Sequence, residues 1–496
     1  MRFRGRGHIA GPALVAGLLL ALSLPPWGWW PLGPAGAALL YWRLAGLRGR
    51  ARAWAGWWAG LGCYSLGLMW VRAFNWYGAV VLILLEALFF AAAAVLTPPG
   101  RGRAPAFVAS STLAEAVRMT WPFGGLPLGG VFLGQADGPL VGLARLGGPL
   151  LLTAGVWAGG VALATLVTAA RRRGGVPPRV AAGGVAVLAG LVVVALLGAV
   201  APDGGGAVRT ISAALVQGGG RRGVDMEEVA PATVFSAQVA ASYAVGRGHP
   251  APDLVLWPED VIALSGPLAG SAEATFMGHL ASHLHTTLVA GVTVPEAGNT
   301  FRNEIVVWGP EGRIVAQFEK VHRVPFGEYV PYRSLISHLA NLSEVPDDAI
   351  PGHASGLLRT AAGPLGTLVS FEVFYANRSR TSVRAGAELL IVPTNTSSYR
   401  TAQVPTQEVA ADIVQAVETG RDLLQAAPTG YSTVVTPRGQ VLQRSGLNRR
   451  QVLLADVPLR RGFTIYDHLG DLPVVLVALG ALLAGWLRQR RLTSQS

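Results

Sequence analysis

The chain has 496 residues, 51% of them hydrophobic and 14% charged, with a formal net charge of +12. That balance is too apolar and too sparsely charged for an ordinary water-soluble enzyme of this length. The arginines gather between apolar runs instead of with aromatics on one soluble face, which argues against a nucleic-acid binder, and a single cysteine, Cys63, excludes an intrachain disulfide or a cysteine-rich metal centre.

Along the chain, apolar runs at about 9–24, 33–47, 53–73, 79–97, 104–120, 147–170, 179–200 and 472–487 approach or reach the ~20 residues that cross a bilayer. The second and fifth are the weakest. We read the first as a retained anchor, because no small-residue cleavage site follows it. The eight runs divide the chain into a membrane region at 1–200, an insert at 201–468, and a last helix with a short basic tail at 469–496. Arg48–Arg52, Arg101–Arg103, Arg171–Arg173 and Arg488–Arg491 fall on the side of the N-terminus if every span is real. Arginine-rich short loops stay cytoplasmic. The insert at 201–468 then faces outward. Cys63 lies within an apolar run and reads as a small buried hydrophobe. Glu86, Glu115 and Arg118 lie in or near spans, where charge is costly; an ion pair and a grip on a lipid headgroup are equal expectations for Glu115 and Arg118.

From Val208 the pattern turns to short apolar strands, at 211–217, 254–257, 288–294, 304–307, 313–318, 366–373 and 389–392, alternating with helical stretches near 228–246, 270–285 and 402–419. This is a layered α/β domain. Gly218–Gly223 lacks the Lys-Ser/Thr of a phosphate loop, and His279, His283 and His285 lack the Glu of a zinc-protease helix, so both are set aside. No Gly-x-Ser-x-Gly elbow occurs.

Three apolar runs end in a reactive side chain: Glu259, Lys320 and Ser370. A carboxylate base, a cation for a developing oxyanion and a nucleophile form a workable acyl-transfer set. Glu328, eight residues after Lys320, can set that lysine's protonation state. Taken singly, Glu259 could cap a helix starting at Asp260, Lys320 could be a solvated strand end, and Ser370 could be a small core residue. Residues 332–352, with Pro346 and Pro351, read as a long loop beside the site, the usual form of a lid.

The sequence resembles the apolipoprotein N-acyltransferases, membrane members of the nitrilase superfamily. The resemblance rests on Leu215–Gln217, Trp257-Pro-Glu259, Asn303, the stretch Lys320-Val-His-Arg-Val-Pro-Phe-Gly-Glu-Tyr-Val-Pro331, Phe371-Glu372, Ala416-Val-Glu-Thr-Gly-Arg421, and Gly125-Leu-Pro127 with Gln135. It implies an extracytoplasmic nitrilase-like α-β-β-α sandwich on an α-helical bundle of about eight spans in the cytoplasmic membrane of a bacterial cell. It also implies transfer of a fatty acyl chain from a phospholipid, through an acyl-enzyme and without metal or organic cofactor, to the α-amine of a lipoprotein's diacylglyceryl-cysteine. By position, Glu259 is the general base and Lys320 the oxyanion donor, with Glu328, Glu372, Asn303 and Trp257 in support. The family's cysteine nucleophile is Ser370 here. Further departures lie at Asn395–Arg400, Gln415 and Pro428. They leave two other readings open: a catalytically impaired paralogue or Cys-to-Ser mutant that binds lipid or lipoprotein without turnover, and a membrane-bound serine-dependent amide or ester hydrolase.

Overall fold

The computed structural model describes residues 7–100, 102–171, 178–220, 229–245, 250–338, 342, 343, 345–399 and 401–493. The arginines at 2, 4, 6, 101, 172, 173 and 400, the second half of the Gly218–Gly223 turn and part of the 332–352 loop lie outside them. The chain divides into two units, residues 1–201 with 468–496, and residues 202–467.

The first unit contains α1 (Gly7–Ser23), α2 (Leu32–Arg43), α3 (Arg50–Gly67), α4 (Trp76–Leu96), α5 (Arg103–Arg118), α6 (Ala144–Arg171) and α7 (Pro178–Val200), and the chain's last helix, Leu472–Thr493. A helix stands at each of the eight expected spans. Among the described residues, however, four stretches are long and apolar enough to cross a membrane: Trp76–Leu96, Val141–Arg171, Ala181–Val200 and Leu472–Arg491. Of the eight expected spans, these four meet that measure, and the shorter helices differ from them in visible ways. The 12 residues of α2 rise only about 18 Å, and α5 buries Ser110, Ser111, Thr112, Glu115 and Arg118. Close helix approach is set by glycine. A Cβ on Gly17 would strike the Ala59 carbonyl, and one on Gly56 would strike that of Phe90, so α1 and α4 each meet α3 at backbone distance.

Arg118 is fully buried in this unit. Its Nε and Nη2 donate to the Glu115 carboxylate at 3.0 and 2.7 Å, and Nη1 donates to Glu86 at 3.2 Å. Further donor bonds reach the carbonyls of Leu126, Pro127 and Leu128. The guanidinium fork is therefore engaged with protein on all sides. Of the two expectations for Arg118, the ion pair is the one realised, and the residue straps the 121–130 segment to α4 and α5. Arg118→Met should leave two buried carboxylates uncompensated at a cost of about 3–5 kcal/mol. Thermal unfolding of the detergent-solubilised chain checks this, with Tm partly recovered in Arg118→Met/Glu115→Gln.

The second unit is built from strands β1 (Arg209–Gln217), β2 (Leu254–Leu256), β3 (Ile262–Ala263), β4 (Thr287–Glu296), β5 (Thr300–Trp308), β6 (Ile314–Glu319), β7 (Asp348–Ala349), β8 (Leu357–Thr360), β9 (Gly363–Thr367), β10 (Leu389–Pro393), β11 (Leu423–Ala426), β12 (Thr433–Val435), β13 (Val441–Arg444) and β14 (Gln451–Leu459). Helices α8 (Pro231–Ser242), α9 (Ala272–Leu284), α10 (Arg333–Ile336), α11 (Ala376–Arg384) and α12 (Gln403–Thr419) lie between them. One sheet runs β14-β1-β2-β4-β5-β6, with β3 on β4 and β7 on β5; the other runs β13-β12-β11-β10-β9-β8.

The sheets pack face to face through Leu215, Leu256, Val289, Ile305, Leu365, Ile391 and Leu424. The opposite face of the first sheet presents Val255, Trp257, Leu288 and Val306 to Met277 and Ala281 of α9. Strands apolar on both faces follow from being covered on both. The result is an α-β-β-α sandwich of the nitrilase type. Apart from Thr406, every residue of α12 is buried, so its polar side chains must find partners inside the protein.

Candidate active site

Lys320 follows β6, and its backbone N–H donates to the Asn303 carbonyl of β5 at 2.9 Å. Its side chain is 2% exposed, which excludes a solvated strand end. The Nζ donates to Glu259 Oε1 at 2.8 Å and Glu328 Oε1 at 2.7 Å. Asn303 Nδ2 donates to the same two oxygens at 2.8 and 3.2 Å, and the Val324 N–H holds the other oxygen of Glu328. The sequence-predicted Glu259, Asn303, Lys320 and Glu328 thus form one buried cluster. Against the cost of burial, the charges of Glu259 and Glu328 hold the lysine above its ordinary pKa, so it stays an ammonium. Burial pushes Glu259 above the usual carboxylate range; Lys320 opposes the rise and Glu328 adds to it. A carboxylate made more basic by burial beside a fixed cation suits a proton-transfer role.

No helix starts at Asp260, so Glu259 is not a cap. Asp260 is left-handed, with φ 53°, and receives a hydrogen bond from Thr293; burial raises its carboxyl to about 6. The turn passes so close to β4 that a Cβ on Gly291 would strike the Glu259 backbone. Gly291→Ala should displace Glu259 and cut turnover by about 10²-fold, the scale of a 1 Å misplacement. Steady-state kinetics with an unchanged far-UV spectrum would identify that cause.

The expected strand 366–373 ends at Thr367, and Ser370–Phe374 form a 3-10 turn. Glu372 causes the break. Its Oε2 accepts the Val369 N–H at 2.9 Å, while Oε1 accepts those of Val321 and His322 at 2.9 and 3.0 Å. One buried carboxylate therefore ties the residue before Ser370 to the residue after Lys320. Glu372 supports the site through backbone and does not join the Lys320 cluster. Ser370 has φ 48°, a conformation costing about 1–3 kcal/mol in a non-glycine residue and concentrated at functional sites. Gln415 Nε2 pins the same turn through the Val373 carbonyl at 2.7 Å.

Ser370 is only 9% exposed and has polar partners. The Thr394 hydroxyl lies 3.0 Å from Ser370 Oγ and 2.7 Å from Glu408 Oε1, and Ser370 Oγ is 3.5 Å from the same carboxylate oxygen. Sequence reading missed both Thr394, just beyond β10, and Glu408, on α12. The one signal available was a run of polar residues on a helix that had to be buried. Tyr399 was missed as well. Burial raises its phenol, and it feels the charges of Glu408, Lys320, Glu328 and Glu259 together, so the segment after β10 lies within electrostatic reach of both halves of the cleft.

Trp257 does not face the cluster. It is fully buried in the helix-side core, and its Nε1 donates to Ser242 at 3.0 Å, so its role is packing. His322 stacks on Tyr375 with ring centroids 4.2 Å apart, and burial with Arg378 nearby lowers its pKa to about 4. A depressed histidine favours the neutral folded state. Its contribution is complete above the reference pKa of 6.5 and is lost as pH falls toward 4. The stability of the native chain relative to His322→Asn should therefore fall between about pH 6.5 and 4 and be flat above, by urea unfolding in detergent. In the 332–352 loop, Arg333 pairs with Asp348 at 2.5 Å, and Tyr332 and Leu335 are exposed.

Residues 16–162 match the model of the apolipoprotein N-acyltransferase N-terminal domain, and residues 212–462 match that of the carbon-nitrogen hydrolases. An apolipoprotein N-acyltransferase of Azotobacter vinelandii is 30% identical over 505 residues, covering 97% of this chain and 94% of the relative. The chain belongs to the apolipoprotein N-acyltransferase family. Another apolipoprotein N-acyltransferase, from Pseudomonas paraeruginosa, is 29% identical over 519 residues, covering 99% of this chain and 97% of that one. Among solved structures, a branch 10 nitrilase-superfamily protein from Saccharomyces cerevisiae is 19% identical, with a TM-score of 0.40 over 51% of this chain and 91% of its own. Apolipoprotein N-acyltransferases are thus acyltransferases with a carbon-nitrogen hydrolase domain, and this member is a membrane protein with serine at position 370.

Proposed function

We propose that this chain transfers a fatty acyl group from a phospholipid to the α-amine of the N-terminal diacylglyceryl-cysteine of lipoproteins, through an ester on Ser370. The observation that carries the reading is the buried Lys320 held between Glu259 and Glu328 and tied through Glu372 to the turn that presents Ser370. Ser370 Oγ attacks the donor carbonyl, Lys320 stabilises the oxyanion, and Glu259 serves as general base and returns a proton to the leaving lysophospholipid. The amine then attacks the acyl-enzyme, releases Ser370 and gives the amide. Cys63 supplies no alternative nucleophile, since it is buried in α3.

The domain would work on the outer face of the cytoplasmic membrane, the orientation favoured by the arginine-rich loops. A paralogue without chemistry is disfavoured physically, because a buried lysine flanked by two carboxylates is costly to keep where it does nothing. The test is incubation of the purified chain with phospholipid and a diacylglyceryl-cysteine peptide, read by mass spectrometry. The acyl mass should appear on the free-amine peptide and not on its N-acetylated form. Release of free fatty acid with neither peptide acylated would support the hydrolase reading instead.

A further inference from the structure

Serine is a harder nucleophile to activate than the family's cysteine, because its hydroxyl is far less acidic than a thiol with a reference pKa of about 8.5. The base named above stands in the Lys320 cluster, where its Oε1 already accepts from Lys320 and Asn303. The hydroxyl of Ser370 is instead surrounded by a different set of groups. Thr394 Oγ1 is 3.0 Å away, and Glu408 Oε1 is 2.7 Å beyond Thr394 and 3.5 Å from Ser370 itself.

The threonine hydroxyl has one proton to give, and the carboxylate is the better acceptor. In the structure Thr394 Oγ1 donates toward either Ser370 Oγ or Glu408 Oε1, and Ser370 Oγ donates to Glu408 Oε1. When the one threonine proton lies on the Glu408 side, the Thr394 oxygen is available to take the Ser370 proton. Glu408 is 2% exposed, so its interactions are strengthened by the low local dielectric. Asp412, one helical turn further along α12, is pushed well above the usual carboxylate range by burial and by the charge of Glu408.

We propose that Glu408 is a catalytic base for Ser370, acting through the Thr394 hydroxyl, and that this hydroxyl relay is what allows serine to serve as the nucleophile in this chain. The proposal rests on the acyl-transfer reading above, replaces Glu259 by Glu408 as the base of the acylation half, and leaves Glu259 the proton transfers of the aminolysis half. In the first step the Ser370 Oγ–acyl carbon bond forms as the Ser370 proton passes to Thr394 and the Thr394 proton passes to Glu408. The tetrahedral intermediate then breaks its bond to the glycerol oxygen. That oxygen leaves as the hydroxyl of a lysophospholipid by taking the proton now on Glu408, which returns to the carboxylate. In the second half Glu259 takes the proton of the attacking amine and passes it to the departing Ser370 Oγ as the amide forms. The relay is specific to serine, because a thiol near its own pKa is partly ionised without it.

The experiment measures the initial rate of acyl-mass gain on the full detergent-solubilised chain incubated with a phosphatidylethanolamine, in native, Glu408→Gln, Thr394→Val and Thr394→Ser forms. The same Glu408 and Thr394 changes are also made in a Ser370→Cys background. With serine at 370, Glu408→Gln and Thr394→Val should each lower the rate by about 10²-fold or more, the scale of a positioned base, and Thr394→Ser should restore it. With cysteine at 370, Glu408→Gln should change the rate by less than about fivefold, since the thiolate forms without the relay. That contrast also shows that the Gln variant folds, and a merely structural glutamate would not produce it. Equal losses in both backgrounds, or no loss with serine, would overturn the proposal while leaving acyl transfer intact. No acylation of Ser370 in the native chain would overturn both the proposal and the reading beneath it.

Discussion

Replacing Ser370 by cysteine should speed transfer to the lipoprotein amine by at least about 10²-fold relative to the native chain. The gain comes mainly from the second half of the reaction, because an amine attacks a thioester more readily than an oxygen ester. The scaffold needs no rearrangement. Ser370 already occupies the left-handed turn, with φ 48°, that Glu372 and Gln415 hold from two directions, and one sulfur for one oxygen leaves those bonds in place. Single-turnover kinetics separate the halves. Acyl-enzyme formation should change less than its discharge, and a slower discharge in the Ser370→Cys form would show that the oxygen ester is not what limits the native chain.

The largest loss should come from Lys320→Met. In the native cluster one ammonium offsets two carboxylates whose Oε1 atoms lie 2.8 and 2.7 Å from it. Removing it takes away the oxyanion donor, worth about 10²–10³ in rate. It also leaves Glu259 and Glu328 facing each other with Asn303 as their shared donor, at a cost of about 3–5 kcal/mol. The burden is relieved when one carboxyl takes up a proton. Glu259 is already raised by burial and would rise further without the lysine. A carboxyl whose folded pKa exceeds its unfolded value binds more protons when folded, so stability grows as pH falls through the folded value toward the reference of 4.5. The variant should therefore recover part of its lost stability on acidification while its activity stays lost, which unfolding curves and transfer assays at matched pH would check.

Much of the Lys320 half of the cleft could be read from the chain because its members are close in sequence or end an apolar run. Lys320 and Glu328 lie in one stretch, and Glu259 follows the strand Leu254–Leu256. The Ser370 half was legible only as a position. Its partners come from elements distant in sequence, Thr394 after β10 and Glu408 on α12, and no local period marks a glutamate whose role depends on a helix being buried on nearly every side. The strand expected through Ser370 failed for a related reason. Apolar Leu368, Val369 and Phe371 continue the strand pattern, but Glu372 takes the Val369 N–H for itself and turns the backbone. In the first unit, hydropathy located eight helices, four of which, among the described residues, are long and apolar enough to span. A run's apolar content says little about where a helix such as α2 stops, or how many buried polar groups α5 carries.

The central claim is that Ser370 carries the acyl chain. The most direct measurement is intact-protein mass spectrometry of the native chain after incubation with phospholipid and no acceptor, with the adduct located by peptide mapping and then challenged with a diacylglyceryl-cysteine peptide. The account predicts one added acyl mass on the peptide containing Ser370, absent in Ser370→Ala, and lost when the free-amine peptide is supplied. Transfer to the peptide amine by the Ser370→Ala chain, with no adduct at position 370, would contradict it.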